Sequence, residues 1–454
     1  MATESHGISL GEATRTWARI AALSFGGPAG QIAVMHRILV DEKKWIGEQR
    51  FLHALNFCML LPGPEAQQLA TYIGWLLHRT VGGLVAGLLF ILPGFVAILG
   101  LSIAYVTIGD LPAITGLFFG LKAAVIAVVL QAVIRIGSRA LRSRIQAAIA
   151  AAAFLAIFFF SVPFPLIILA SAAAGYVGGK VGASGLQGGA HAASLAGLDD
   201  RDSALGEGLP AHAKPGWAWT MTISLTLLVA WLAPVIAIYA SLGPDNVFSR
   251  IGLFFSQMAV VTFGGAYAVL AYVAQEAVET FRWVSPGEML DGLGLAETTP
   301  GPLIMVTQFV GFLGAYRNAS GMDPLLAATL GAVLTTWVTF VPCFLWIFLG
   351  APFVERLRGN VAVSAALGGI TAAVVGVVLN LGLWFAIHAL FGQVEPASFG
   401  PVSVEVPILS SINVAAALLT AGAIVAVLRL RLGVLTVLAG CAAIGVLLRI
   451  SGLA

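Results

Sequence analysis

Pro62-Gly63-Pro64 stands inside a long apolar run, and Pro300-Gly301-Pro302 does the same 238 residues later. Two prolines two residues apart remove two backbone donors and bar regular helix at and just before each ring. The composition makes that break decisive. The chain is 59% hydrophobic and 10% charged, whereas a soluble domain is about one-quarter charged. Several nearly uncharged runs reach about twenty residues, the length that crosses a bilayer as a helix. In lipid an unsatisfied backbone group costs several kcal/mol, so a broken helix survives only beside protein or a polar cavity. The sequence therefore predicts an all-α polytopic membrane protein with broken helices at both Pro-Gly-Pro sites. A membrane barrel would show short alternating segments instead.

The two breaks belong to a duplication. Phe25-Gly26-Gly27, Trp45, Pro62-Gly63-Pro64 and Arg79 recur as Phe263-Gly264-Gly265, Trp283, Pro300-Gly301-Pro302 and Arg317 at one constant offset. Further on, Pro93 pairs with Pro342, and Gly120–Leu130 with Gly369–Leu379, at an offset of 249, which places one insertion near Asn318–Leu326. Two homologous repeats are expected, 12–181 and 248–450. A polar linker, expected to be cytoplasmic, covers 182–216, and a connecting transmembrane helix covers 217–240.

Thirteen apolar segments are expected, beginning with 16–37 and 52–77. Seven crossings then separate the starts of the repeats. An odd number gives an inverted-topology pair, with a substrate site near the midplane between the copies. Loop Lys and Arg residues favour a cytoplasmic N-terminus and an outside C-terminus. Seven fall outside under this count: Arg37, Lys43, Lys44, Arg50, Arg250, Arg317 and Arg449. Lys43-Lys44 is the poorest fit.

The candidate site residues follow from the breaks. A helix restarting after Pro64 points free N–H groups and its positive end into the protein, a ready anion site. The Gly26-Gly27 and Gly264-Gly265 pairs admit close approach of backbone, either another helix or a ligand. Kinking and close packing alone are the competing account. Lys122 lies mid-segment, where a charge is costly and points to function; snorkelling or pairing with a carboxylate is the alternative. Glu65 and Glu297 flank the two breaks, with Gln67, Gln68, Thr71, Thr298, Thr299, Thr307 and Gln308 nearby. These bind substrate, or the two glutamates carry protons, or the set satisfies the open backbone. Arg79 and Arg317 suit interface anchoring or anion attraction. His53 and its repeat mate Asp291 are expected at the surface.

The chain has no GxSxG, HExxH, P-loop or dinucleotide fingerprint, so neither an enzyme nor an ATP-driven engine is expected. No basic tract with interleaved aromatics points to nucleic acid. Cys58, Cys343 and Cys441 sit alone in apolar segments and suit small buried side chains. Neither a metal nor a cofactor is expected.

Taken in order, Phe25-Gly26-Gly27-Pro28, Pro62-Gly63-Pro64-Glu65, Leu92-Pro93, Gly120-Leu121-Lys122-Ala123, Phe263-Gly264-Gly265 and Thr299-Pro300-Gly301-Pro302 resemble the chromate ion transporter family in its long, two-domain form. The resemblance covers about residues 15–450. It implies a multi-pass protein of the inner membrane that exports chromate and confers chromate resistance; from the charge of the ion and the two glutamates, membrane potential or a proton gradient is the expected drive. Sulfate is implied as a structural mimic, and another oxyanion as the alternative cargo. Family positions carry over to Gly26, Gly27, Pro62, Gly63, Pro64, Glu65, Lys122, Gly264, Gly265, Pro300, Gly301 and Pro302; Gln68, Glu297 and Thr299 join them from the residue reading. The second copy has Ala266 in place of Pro28 and Leu303 in place of Glu65. Expected partners are chromate, the lipid bilayer and a second copy as a homodimer.

Overall fold

The structure is a computed structural model that describes residues 6–181, 198–206, 216–263, 265–319, 321–350, 361–400 and 402–453. Among these residues it forms sixteen α-helices and one β-hairpin. Five helices are long and apolar enough to cross a membrane: α4 (Glu65–Ile108), α5 (Pro112–Ala140), α8 (Trp217–Leu242), α13 (Pro324–Gly350) and α14 (Val361–Leu390). The chain divides into two compact units. One draws on 1–99, 189–266 and 299–359, the other on 100–188, 267–298 and 360–454. Each unit takes chain from both sequence repeats.

In the first unit, α1 (Leu10–Leu23) begins at Ser9, whose hydroxyl accepts from the Glu12 N–H. The chain then breaks and re-enters helix as α2 (Gly27–His36), which runs into a π-helical turn at Arg37–Glu42. Segment 16–37 is therefore not one straight helix. Lys43 Nζ lies 2.9 Å from Glu12 Oε1 and Arg19 Nη1 lies 2.7 Å from Glu42 Oε2, so the far end of α2 returns to α1. Segment 52–77 is likewise divided, into α3 (Glu48–Cys58) and the first arm of α4. That arm ends at His78–Arg79, where Arg79 takes φ +53°. The helix there doubles back: a Cβ on Gly74 would meet Ala86, and one on Gly83 would meet the Thr71 carbonyl. The His78 ring bonds the Ile8 carbonyl at 2.9 Å and the His6 ring bonds Leu77 O at 2.8 Å. Within the expected linker, residues 198–206 dock beside α3: Ala204 N–H donates to Lys44 O, and Glu48 N–H to Leu198 O. The remainder of 182–215 lies outside the described residues.

α9 (Val247–Val261) and α13 belong to this unit too, as does α12 (Val306–Arg317), introduced by a 3₁₀ turn at Leu303–Met305. α12 packs on α13 where a Cβ on Gly331 would meet Ala315. The repeat persists in backbone detail. The π turn Arg37–Glu42 has its mate at Gln275–Thr280. Lys44 and Arg282 take φ of +52° and +54°. Ser24 and Thr262 donate their hydroxyls to the carbonyls four residues back.

The second unit packs on small residues, as helices do in lipid, where close backbone approach replaces the hydrophobic effect. α5 meets α16 (Val434–Ile450) through Gly116, Gly120 and Gly445; α14 meets α7 (Phe164–Lys180) through Gly175 and Gly369, and α6 (Arg144–Phe160) through Gly376 and Ala150. α11 (Pro286–Thr298) lies on α5, with Gly294 against Leu121. α10 (Ala266–Ala274) precedes the second π turn, and α15 (Val414–Leu428) precedes α16. The apolar pattern does not predict the hairpin β1 (Val394–Phe399) and β2 (Val402–Pro407), paired Val394↔Pro407 through Phe399↔Val402. It overhangs a cleft lined by Gln275, Glu279, Ser403 and Glu405. Burial, then the Glu405 and Glu276 carboxylates, push the Glu279 carboxyl up to about 7.

Two outcomes follow. Gly11→Cys and Asp41→Cys will react with an impermeant thiol reagent from the same side of the membrane; labelling from opposite sides would restore a straight crossing at 16–37. For Glu279 the folded state binds the proton more tightly than the unfolded chain. Its contribution is therefore most favourable below the ordinary carboxylate range and is lost as pH rises toward about 7. Glu279→Gln will raise the melting temperature at pH 8 and leave it nearly unchanged at pH 5.

Candidate functional site

A broken helix in an apolar setting exposes backbone groups that must find partners. In the first unit they find them across the repeats. Gly63 N–H, from the first Pro-Gly-Pro, donates to Thr262 O at 2.9 Å. Gly301 N–H, from the second, donates to Ser24 O at 3.0 Å. Gly63 and Gly301 are repeat mates, and so are Ser24 and Thr262, so each copy's Pro-Gly-Pro bonds the other copy's turn ahead of its Gly-Gly. Glycine is required at both centres. Gly63 takes φ +125° and Gly301 φ +99°, and a Cβ on Gly301 would stand 2.9 Å from Gly94 Cα. Ser24 and Thr262 are fully buried.

Helix starts gather at these two junctions. α2 starts at Gly27 beside the Ser24–Gly301 bond, and the turn leading into α12 starts at Leu303. α4 starts at Glu65 beside the Gly63–Thr262 bond, and α10 starts at Ala266. α2 thus starts at one junction and α4 at the other, and a helix N-terminus with its dipole favours an anion. The Glu65 carboxylate reaches Gly265: a Cβ there would lie 3.2 Å from Glu65 Oε1. Gly264 lies outside the described residues.

Three buried amides donate to backbone carbonyls, two of them at the breaks. Gln68 Nε2 donates to Pro62 O at 2.7 Å, Gln31 Nε2 to Gly301 O at 2.6 Å, and Gln308 Nε2 to Phe95 O at 3.0 Å. Gln68 and Gln31 thus meet carbonyls of the two breaks, Gln308 meets one inside α4, and sequence pattern does not flag Gln31. The Oε1 atoms of Gln67, Gln68 and Gln308 are buried and have no donor among the described residues. Thr299 is buried beside Pro300 and Pro302.

Lys122 and Glu297 belong to the second unit. Lys122 Nζ lies 3.3 Å from Asp291 Oδ2, and Tyr105 donates its hydroxyl to the same oxygen at 3.0 Å. Pairing with a carboxylate was the alternative left open for this lysine, and Asp291 is the partner. The surface placement expected for Asp291 is overturned: its side chain is 5% exposed, against 29% for that of Lys122. α11 places it there by turning its Met289–Glu297 stretch wholly inward. Glu297 is buried on the same helix and accepts the Tyr267 hydroxyl at 2.5 Å. No cluster of three or more His, Cys, Asp or Glu suited to a metal occurs among the described residues. Cys58, Cys343 and Cys441 are buried thiols, as expected.

The sequence profile of the chromate transporter family matches residues 11–176 and 249–446. The chain belongs to the chromate transporter family. It is 33% identical over 361 residues to the chromate transport protein of Pseudomonas aeruginosa, covering 78% of this chain and 76% of that one. It is 26% identical over 360 residues to the chromate transport protein of Cupriavidus metallidurans, covering 79% and 78%. A probable chromate transport protein of Synechococcus elongatus is 26% identical over 374 residues, covering 82% and 83%. No solved structure matches the chain. That family is one of transporters rather than enzymes, and the two matched regions fall on the chain's two repeats.

The ion pair yields a stability test. Lys122→Met leaves a buried carboxylate without its cation and will cost about 3 kcal/mol. The double variant Lys122→Met/Asp291→Leu will recover most of that in thermal unfolding of the detergent-solubilised protein. A double variant as unstable as the single one would show that pairing is not what Lys122 contributes.

Proposed function

We propose that the chain is a secondary transporter that moves chromate out of the cytoplasm and thereby confers chromate resistance. The observation that carries the reading is the reciprocal pair of junctions, Gly63–Thr262 and Gly301–Ser24, with α4 starting beside the first and α2 beside the second. Chromate is a tetrahedral dianion whose oxygens accept hydrogen bonds, and open helix starts offer donors with a favourable dipole. Gly26, Gly27, Pro62, Gly63, Pro64, Glu65, Gln68, Gly264, Gly265, Thr299, Pro300, Gly301 and Pro302 are the proposed substrate set at the breaks, with Lys122 and Glu297 as the proposed set of the second unit.

The proposed topology is two inverted repeats, 12–181 and 248–450, in the inner membrane. Reciprocal bonds between repeat mates are what a two-fold relation produces. The turn-back after α1 and the division of segment 52–77 each remove one crossing, so seven becomes five and the number between the repeats stays odd. The charge pattern improves as well. Arg37, Lys43, Lys44 and Arg50 move to the side of the N-terminus and Arg282 to the other. Arg250, Arg282, Arg317 and Arg449 are then the far-side cations. The poor fit of Lys43-Lys44 disappears, which supports a cytoplasmic N-terminus and an outside C-terminus.

With a negative cytoplasm, moving two negative charges outward is favoured by about 4.6 kcal/mol per 100 mV. That is ample drive for a potential-driven exporter. In everted vesicles at controlled potential, chromate uptake will follow the potential, and sulfate will compete if it shares the site. Pro62→Ala will abolish chromate resistance in cells while the protein remains in the membrane. Full resistance in that variant would remove the first break from the pathway.

A further inference from the structure

Asp291 has one oxygen crowded with donors and one with none. Lys122 Nζ and the Tyr105 hydroxyl both address Oδ2. Oδ1 is buried and has no hydrogen-bond partner among the described residues. A buried carboxylate oxygen left without a donor is unfavourable, and a proton is the smallest group that relieves it. The geometry tolerates that proton. On Oδ1 it would leave Oδ2 free to keep accepting from Tyr105, while the attraction holding Lys122 would vanish. Lys122 is the more exposed member of the pair and so the freer to change partner.

We infer that Asp291 is a proton-binding site that exchanges with substrate for Lys122: the carboxylate holds the lysine when the site is empty of anion, and a proton takes the carboxylate when the lysine turns to the anion. This rests on the anion reading of Lys122 above. The exchange balances. The ion pair opens, one proton adds to Oδ1, one anion contacts Nζ, and no covalent bond to carbon changes. Proton and anion then bind cooperatively, each raising the affinity for the other by the same factor. Beside Lys122 and Tyr105, the Glu288 carboxylate on α11 itself acts on Asp291, while Glu297 further along α11 accepts from Tyr267 on α10 and feels the Arg135 charge on α5.

The test is chromate binding by the protein in detergent over roughly pH 7.5 to 9, where the ion is predominantly the dianion, with proton uptake read by an indicator dye in weak buffer. Wild-type affinity will weaken as pH rises, approaching about tenfold per pH unit, and a proton will be taken up with each anion. Asp291→Asn will bind with a flat profile and no proton uptake. Tyr105→Phe, which keeps the ion pair, will move the same slope toward alkaline pH. A wild-type slope and proton uptake in Asp291→Asn would overturn the inference, as would an unmoved profile in Tyr105→Phe should the first variant fail to fold. Absence of chromate binding by the wild type would instead overturn the anion assignment itself, and this inference with it.

Discussion

Backbone that cannot be left bare in hydrocarbon governs this structure. Each Pro-Gly-Pro removes regular helix from the middle of an apolar run, and the freed groups are taken up by the other repeat. Two hydrogen bonds, Gly63 to Thr262 and Gly301 to Ser24, do this in mirrored fashion. Around them Gln31 and Gln68 donate to the Gly301 and Pro62 carbonyls of the breaks. An unpaired group there would cost several kcal/mol. α2 and α4 start beside these two bonds.

The second unit meets a similar difficulty with charge rather than backbone. A lysine in mid-segment is tolerable because Asp291 and Tyr105 stand beside it. A carboxylate buried on the next helix is tolerable because Tyr267 donates to Glu297. Buried pairs of this kind seldom add stability over apolar packing, because desolvation offsets the attraction. Their retention in a chain that is 10% charged points to a use for the charge itself.

Much of this was legible in the sequence because proline and glycine act locally. The breaks at 62–64 and 300–302 need no knowledge of what surrounds them, and constant spacing exposes the repeat without a single contact. What sequence could not supply was partner identity. Ser24 and Thr262 are ordinary hydroxyl residues before a Gly-Gly, and nothing in the pattern marks their carbonyls as acceptors. Asp291 sits among glycines and leucines beside Glu288, which reads as a surface turn until α11 is seen buried along its length. The turn-back after Leu23 was hidden because an apolar run looks the same whether it crosses or returns. Only the salt bridges from Glu12 and Arg19 to 42–43 distinguish the two. The π turns and the β-hairpin left no periodic signal.

Interleaving the repeats has an effect on how the polypeptide is made. When the first Pro-Gly-Pro leaves the ribosome, the carbonyl it will bond lies about two hundred residues further along and does not yet exist. The early half must wait in the bilayer with that donor hydrated or provisionally satisfied, and closure comes only after Thr262 and Gly301 have been inserted. Such long-range closure is slow. A chain truncated after its first half would therefore be an open assembly intermediate rather than a smaller version of the finished protein.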